Sequence, residues 1–334
     1  MRITVALVFL ISLIAVTDHR PVAAQAAPQA AAAPAIRVLP LRDNVFMLVG
    51  ASGNTVVQVE PRNQEARLPG TYQGTYGVMV VDSQSGAQGD ELRAAVRRLS
   101  QGPIRFVINT HIHDDRIGGN AALARRDAGA RGGDPTLIVS HENVLLKLAE
   151  EGRVAQEGLP TDTYLDIKEI WLNDEAVQLF HQPSAHTDGD TIVFFRRSDV
   201  ISAGDVYVTT TYPVIDVKHG GTVQGVIDGL NRILDLAIPE NSGEGGTLIV
   251  PGEGRLSDES DVVEYRNMVV MIRDRIQDMV KKGMTLEQVR AARPTLDYDF
   301  RYGTRKSWTP DMFIETIYNE LRKTAAPTRT ASAR

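Results

Sequence analysis

INTHIHDDRIGGN, residues 108–120, places two histidines and two aspartates within five consecutive positions and then turns on Gly118-Gly119. The whole chain has only seven histidines, so two of them one residue apart call for a reason. His111 and His113 stand at i and i+2. In an extended or tightly turning segment this spacing puts both imidazoles on the same side. A divalent metal uses such convergence, because two rigid nitrogen donors on one short piece of backbone can both approach to about 2.0–2.1 Å of a zinc ion. Asp115 continues the alternation with a carboxylate. The bland alternative is a pair of surface histidines on a polar loop; the aspartate, the Gly-Gly and the preceding residues count against it. Ile104–Ile108 is a short apolar run that reads as a buried strand. The motif therefore follows the C-terminal end of a strand, where sites in α/β folds collect.

Outward from this point the chain alternates strand-like and helix-like segments. Upstream, Val45–Val49, Thr55–Val59 and Gly77–Asp82 are β-type runs separated by Ser52-Gly53-Asn54 and Leu68-Pro69-Gly70. Asp90 is placed to cap a helix with Leu92, Val96 and Leu99 on one face, stopped by Gly102-Pro103. Downstream, Asn120 leads into an alanine-rich helix, Thr136–Ser140 precedes a helix from Glu142, and Val177–Phe180, Ile192–Arg196 and Val200–Ser202 read as strands. Gln224–Leu236 has helical spacing, and Thr247–Val250 is a strand ending in Pro251-Gly252-Glu253-Gly254. From Ser257, a candidate cap, a long amphipathic helix runs to about Lys282. Thr285-x-x-Gln288 is a capping-box pattern, and Thr309-Pro310-Asp311 starts a last helix. The pattern is mixed α/β: two sheets with helices outside, in one domain over 36–323 that includes C-terminal helices over 257–323.

Composition sets outer limits. The 334 residues are 43% hydrophobic and 23% charged, an ordinary globular balance. Net charge is −6 and no basic block of five or more residues occurs, which argues against a nucleic-acid partner and leaves a small-molecule substrate. There is no cysteine, so disulfides, thiolate nucleophiles and thiolate ligands are excluded. Residues 1–24 read as a signal peptide: Arg2, the apolar run Ile3–Val16, a polar stretch containing His19, then Val22-Ala23-Ala24 for cleavage. The apolar run of 14 residues is short of the roughly 20 needed for a membrane-spanning helix, so no stable membrane anchor is expected after cleavage. The expected location is periplasmic or secreted. Residues 25–35 are an Ala/Pro-rich spacer, and 324–334 are expected to be a disordered tail.

Four ordered segments carry a family resemblance. THIHDDRIGGN resembles the H-x-H-x-D-H metal-binding signature of the metallo-β-lactamase superfamily. SAHTDGDTIVFF resembles the segment with the third histidine, here His186; SAGDVYV resembles the one with the bridging aspartate, here Asp205; PGEGR resembles the P-G-H-G turn. The resemblance spans about residues 40–256 and implies a four-layer αββα sandwich with the metal site at one edge, to which this chain adds its C-terminal helices. It also implies a first zinc site of His111, His113 and His186, and a second metal site involving Asp115 and Asp205. Zinc-bound hydroxide would attack a small ester, lactone or amide, a β-lactam among them, with an acidic residue shuttling the proton. The competing reading is a non-catalytic metal- or ligand-binding protein of the same fold.

Two departures strike the second site. The expected histidine after Asp115 is Arg116, and the histidine of P-G-H-G is Glu253. Three accounts follow: Glu253 serves as a ligand, with a second zinc or manganese among Asp115, Asp205 and Glu253; Arg116 and Glu253 pair in the space of that metal, leaving one zinc; or the second site has decayed and the protein only binds. The complementary charges of the two substitutions favour the second account. Among other residues, Tyr212 is a candidate oxyanion donor, and His219 in VIDVKHGGT is a candidate substrate contact. Asp188 or Asp190 is a candidate for fixing a histidine tautomer. His141 and His181 read as loop or packing residues, Trp171 and Trp308 as core or surface-patch residues, and Met268, Met271 and Met279 as core. The C-terminal helices are placed to cover the site or to form an oligomer interface.

Overall fold

The computed structural model describes residues 36–61, 76–126, 134–238 and 245–325. The expected leader 1–24, the spacer 25–35, the Leu68-Pro69-Gly70 turn and all but Thr324 and Ala325 of the expected tail lie outside them. Thr324 and Ala325 extend the last helix. No helix among the described residues is long and apolar enough to cross a membrane.

The first sheet has seven strands in sequence order: β1 (Arg37–Arg42), β2 (Val45–Gly50), β3 (Gly53–Gln58), β4 (Val78–Val81), β5 (Ile104–Ile108), β6 (Leu137–His141) and β7 (Asp162–Tyr164). It begins as an antiparallel meander and is parallel from β4 onward. Helices α1 (Gly89–Leu99), α2 (Asp114–Ile117), α3 (Asn120–Ala124) and α4 (Glu142–Glu151) fall between its later strands. The second sheet runs β12-β11-β10-β9-β8, with β8 (Ile167–Leu172), β9 (Glu175–Gln182), β10 (Asp190–Phe195), β11 (Val200–Ser202) and β12 (Leu248–Val250). Its pairs are antiparallel except β11–β12, which is parallel and joined through α5 (Val223–Leu236). Beyond β12 lie α6 (Glu259–Lys281), α7 (Leu286–Ala292), α8 (Asp299–Tyr302) and α9 (Pro310–Ala325).

Strands that are apolar throughout must be covered on both faces, and these are. In β10, Val193 and Phe195 point between the sheets, where they meet Val81, Ile108 and Val139. Ile192 and Phe194 of the same strand face the other way, onto a cluster with Leu230 of α5, Ile272 of α6 and Phe313 of α9. On the first sheet, Val80, Val107 and Ile138 turn outward to Leu92 and Val96 of α1 and Leu123 of α3. These three clusters make the four layers α, β, β, α expected from the resemblance. The layering brings the C-terminal ends of β4, β5, β11 and β12 to a common edge.

Local expectations met with small corrections. Asp90 lies inside the first turn of α1 and Gln88 stands at its N-cap. The cap of α6 is Asp258, not Ser257, and it closes a capping box with Asp261. Thr285 and Gln288 form the expected box on α7. Strands β1, β7 and β8 had no counterpart in the sequence reading, and all three stand at sheet edges or next to them. Of the three methionines, Met268 is buried, Met279 packs against the core and Met271 is exposed. Trp171 is exposed on the edge strand β8, and Trp308 packs against the C-terminal helices.

Phe195 fills the centre of the inter-sheet layer with no exposed surface. Phe195→Ala is expected to lower the unfolding free energy by about 3–5 kcal/mol, read as a lower midpoint in guanidinium melts.

Candidate metal centre

The stretch 108–120 is closed on itself by its two asparagines. Asn109 and Asn120 exchange side-chain hydrogen bonds, each 2.9 Å, and Asn109 also donates to the Arg116 carbonyl at 2.9 Å. Ser83, after β4, binds the same carbonyl through its backbone N–H and its hydroxyl. The Gly-Gly is sterically required at both positions, because a β-carbon on Gly118 would overlap the Gly86 backbone nitrogen and one on Gly119 the Ser83 carbonyl. Between these anchors the backbone leaves β5, extends through His113 and turns into α2.

His111, His113 and His186 converge, the last from the loop between β9 and β10. Their ring centroids lie 4.6–4.9 Å apart. Each ring is held from behind. His186 Nδ1 donates to the Val214 carbonyl at 2.6 Å. His113 Nε2 donates to Asp216 Oδ2 at 2.9 Å. His111 Nδ1 lies 3.3 Å from Thr110 Oγ1, whose own hydroxyl donates to Asp82 at 2.9 Å. With the outer nitrogens protonated, each ring turns a lone pair inward. Two consequences fit a cation. His111 Nε2 is buried with no hydrogen-bond partner. His113 Nδ1 and His186 Nε2 lie 2.9 Å apart, and two acceptors at that distance repel unless a proton or a metal ion joins them. Burial, with the neighbouring imidazoles, holds His111 well below the ordinary histidine range, and burial also lowers His186. Neutral imidazoles are what a metal ion needs as ligands.

The carboxylates are arranged around Arg116, whose side chain is only 1% exposed. Its Nη2 lies 2.6 Å from Asp205 Oδ1 and 3.2 Å from Asp115 Oδ2, and its Nε is 3.8 Å from Asp82. Asp205 turns its other oxygen toward the histidines, 3.9 Å from both His111 Nε2 and His186 Nε2. Burial would raise Asp205, but the Arg116 guanidinium holds it below the usual carboxylate range. Asp115, at the mouth, is raised by burial against the pull of Arg116. Asp82 is pushed up to about 7 by burial. Gly252 passes so close to Asp205 that a β-carbon there would overlap Oδ1, which explains the glycine of the PGEGR turn.

The expected Arg116–Glu253 pair does not form. Arg116 is committed to Asp205 and Asp115, while Glu253 pairs with Arg305 from the segment between α8 and α9. The donors expected for a second metal thus do not fit one: a guanidinium already occupies the two aspartates, and Glu253 is engaged elsewhere. Tyr212 is also corrected. Its ring is fully buried and stacks on Phe313, and its hydroxyl bonds to the Thr295 carbonyl at 3.1 Å and to Asp299 at 3.0 Å. It ties the C-terminal helices to the sandwich and does not face the histidines. Neither the Asp188 nor the Asp190 carboxylate holds one of the three converging histidines: Asp188 pairs with Lys147 and gives only its backbone carbonyl to His181, and Asp190 accepts from Thr187 N and Oγ1, both at 2.8 Å. Asp216 performs that task and was not singled out in the sequence, where only its neighbour His219 attracted notice. His141 caps α4, stacks on His181 and is lowered to about 4 by burial and that neighbour.

Comparison with known proteins agrees with this geometry. The family model of the metallo-beta-lactamase superfamily matches residues 72–272, and the chain belongs to that superfamily. A linear primary-alkylsulfatase from Pseudomonas sp. (strain ATCC 19151) is 22% identical over 258 residues, covering 64% of this chain and 47% of that protein. The chain thus spans about half the length of the curated relative it matches. Among solved structures, a metallo-beta-lactamase from Pontibacter korlensis aligns with TM-score 0.55 at 14% identity, over 70% of this chain and 99% of that one. The stereoselective inverting sec-alkylsulfatase Pisa1 from Pseudomonas sp. aligns with TM-score 0.61 at 11% identity, over 85% of this chain and 50% of that one. At these identities the structural likeness establishes the fold.

Tyr212→Phe is expected to destabilise the protein by about 1–3 kcal/mol in denaturant melts, by removing the hydrogen bonds of its hydroxyl to the Thr295 carbonyl and the Asp299 carboxylate, while leaving metal content unchanged. A loss of bound metal in this variant would return Tyr212 to the site.

Proposed function

We propose that this protein is an exported, zinc-dependent hydrolase with a single metal ion held by His111, His113 and His186. The observation that carries the reading is the inward-facing nitrogen triad, with His111 Nε2 buried and unpartnered. A bound zinc ion supplies Lewis acidity and an activated water at neutral pH. Asp205, kept ionised by Arg116, faces the triad with one oxygen and orients the attacking water. Asp115, raised by burial and partly exposed at the mouth, is the group suited to take a proton and hand it to the leaving group. Arg116 takes the place of a second cation by pairing with both aspartates.

The substrate class is a small ester, lactone or amide, sulfate esters and β-lactams included. Both chemistries occur among the similar proteins, by their names. A groove of about 670 Å³ runs beside Glu253, lined by Val38, Leu39, Met47 and Val49 together with Arg37 and Arg255. The apolar part of that lining suits an apolar substrate body. Export is supported by the character of residues 1–24.

The test begins with zinc and manganese per chain by mass spectrometry, followed by a hydrolysis panel of alkyl sulfates, lactones and β-lactams. About one zinc per chain is expected, lost together with activity in His186→Ala. Two metals per chain would sink the single-metal reading; none would favour the non-catalytic binding protein. Glu253→His alone is expected to keep one zinc, because Arg116 stays in place. Arg116→His combined with Glu253→His is expected to raise the content toward two.

A further inference from the structure

We infer that the C-terminal end of α4 belongs to the support of the metal centre: Glu151 and Arg153 close a ring of hydrogen bonds that sets the aim of His113. The inference rests on His113 being a metal ligand. The ring starts at His113 Nε2, which donates to Asp216 Oδ2 at 2.9 Å. The same Asp216 oxygen receives His219 Nδ1. His219 Nε2 lies 3.0 Å from Glu151 Oε1. Glu151 Oε2 accepts from Arg153 Nε at 2.7 Å, and Arg153 Nη2 donates to the Ile112 carbonyl at 2.6 Å. Ile112 immediately precedes His113, so the circuit leaves the histidine ring and returns to its own backbone. Gly152, the C-cap of α4 between Glu151 and Arg153, takes the left-handed conformation at φ 60°, which ends the helix and lets its neighbours on both sides turn toward the site.

The reason for such a ring lies in exposure. The side chains of His111 and His186 are 0% and 2% exposed, and packing immobilises them. The His113 side chain is 31% exposed and has no such cage. A ligand at the rim keeps its orientation only if hydrogen bonds replace packing, and groups that touch the ligands but not the metal commonly change affinity about 10–100-fold. Asp216, His219, Glu151 and Arg153 are therefore positioning residues. The 216–221 loop is itself fixed on the His186 loop, with Asp216 N donating to the His186 carbonyl at 2.9 Å, so the ring joins both ligand-bearing segments to the end of α4.

The experiment measures zinc affinity by competition with a chromophoric chelator, and the visible spectrum of the cobalt-substituted protein, for the full chain. The variants are Glu151→Ala, Arg153→Ala, Arg153→Lys, His113→Ala and, as an exposed control on α4, Glu150→Ala. Apo-protein melting temperatures report folding independently. Glu151→Ala and Arg153→Ala are expected to weaken zinc binding about tenfold and to shift the cobalt bands, with the melting temperature of the apo-protein unchanged. Their combination is expected to cost no more than either alone, since one break opens the ring. Arg153→Lys, which folds with the charge kept but loses the fork to Glu151 and Ile112, is expected to fall between. If His113→Ala loses zinc while Glu151→Ala and both Arg153 variants match Glu150→Ala, the ring inference is overturned and the centre stands. If His113→Ala binds zinc like the wild type, or the wild type binds none, the metal-centre reading itself fails and takes the ring with it.

Discussion

A guanidinium taken out of water has to be surrounded by negative charge, and the centre of this molecule is organised by that demand. Arg116 meets it with Asp205 and Asp115, with Asp82 behind. The pairing has consequences in every direction. Asp205 stays ionised and spends one oxygen on the arginine, which leaves the other to face the histidines. The backbone of the PGEGR turn has to pass the occupied carboxylate without a β-carbon, so position 252 is glycine. Glu253, with no cation left to bind at the centre, reaches outward to Arg305 and ties the C-terminal helices to the rim. A fixed positive charge thus stands beside Asp115 and Asp205, the two residues for which the resemblance implies a second metal ion.

The three histidines show three ways of fixing an imidazole. His111 is locked by depth, with Thr110 and Asp82 behind it. His186 is locked by a backbone carbonyl of the loop that follows Asp205. His113, nearest to solvent, depends on a carboxylate that is braced in turn. The sandwich makes this economical. Parallel strands deliver their C-terminal ends to one edge, so the side chains that follow β4, β5 and β11 meet there, with the Gly252 backbone after β12 packed against them, although they lie far apart in the chain.

Much of this was legible in the residues. The strands β2 to β6 and β9 to β12 are short apolar runs bounded by turn residues, because both of their faces are covered. The edge strands were missed for the converse reason. In β8, Ile167, Lys168, Glu169 and Trp171 face water or nearly so, and the signal that marks a buried strand is absent. In β1, residues Arg37–Pro40 are exposed and include a proline. The second helix was missed because α2 is a single turn inside the metal-binding stretch, too short for any periodicity. The three histidines were found by spacing and by resemblance. Asp216 was not, since a lone aspartate in a loop carries no spacing signal.

What the sequence determined by itself is the chemistry available: two histidines on one short turn, a third with its own motif, no thiolates, and one added positive and one added negative charge at the positions of two expected ligands. Which charges meet was decided only by the tertiary structure. Arg116 and Glu253 are complementary on paper, yet Arg116 lies 2.6 Å from Asp205, 89 positions away, and Glu253 finds Arg305, 52 positions away. Tyr212, one loop from Asp205 in the chain, points away from it into the C-terminal helices. Sequence records which groups exist and how near they are along the backbone. Coulomb attraction and the need to bury apolar rings act through space, and those distances exist only once the two sheets have packed.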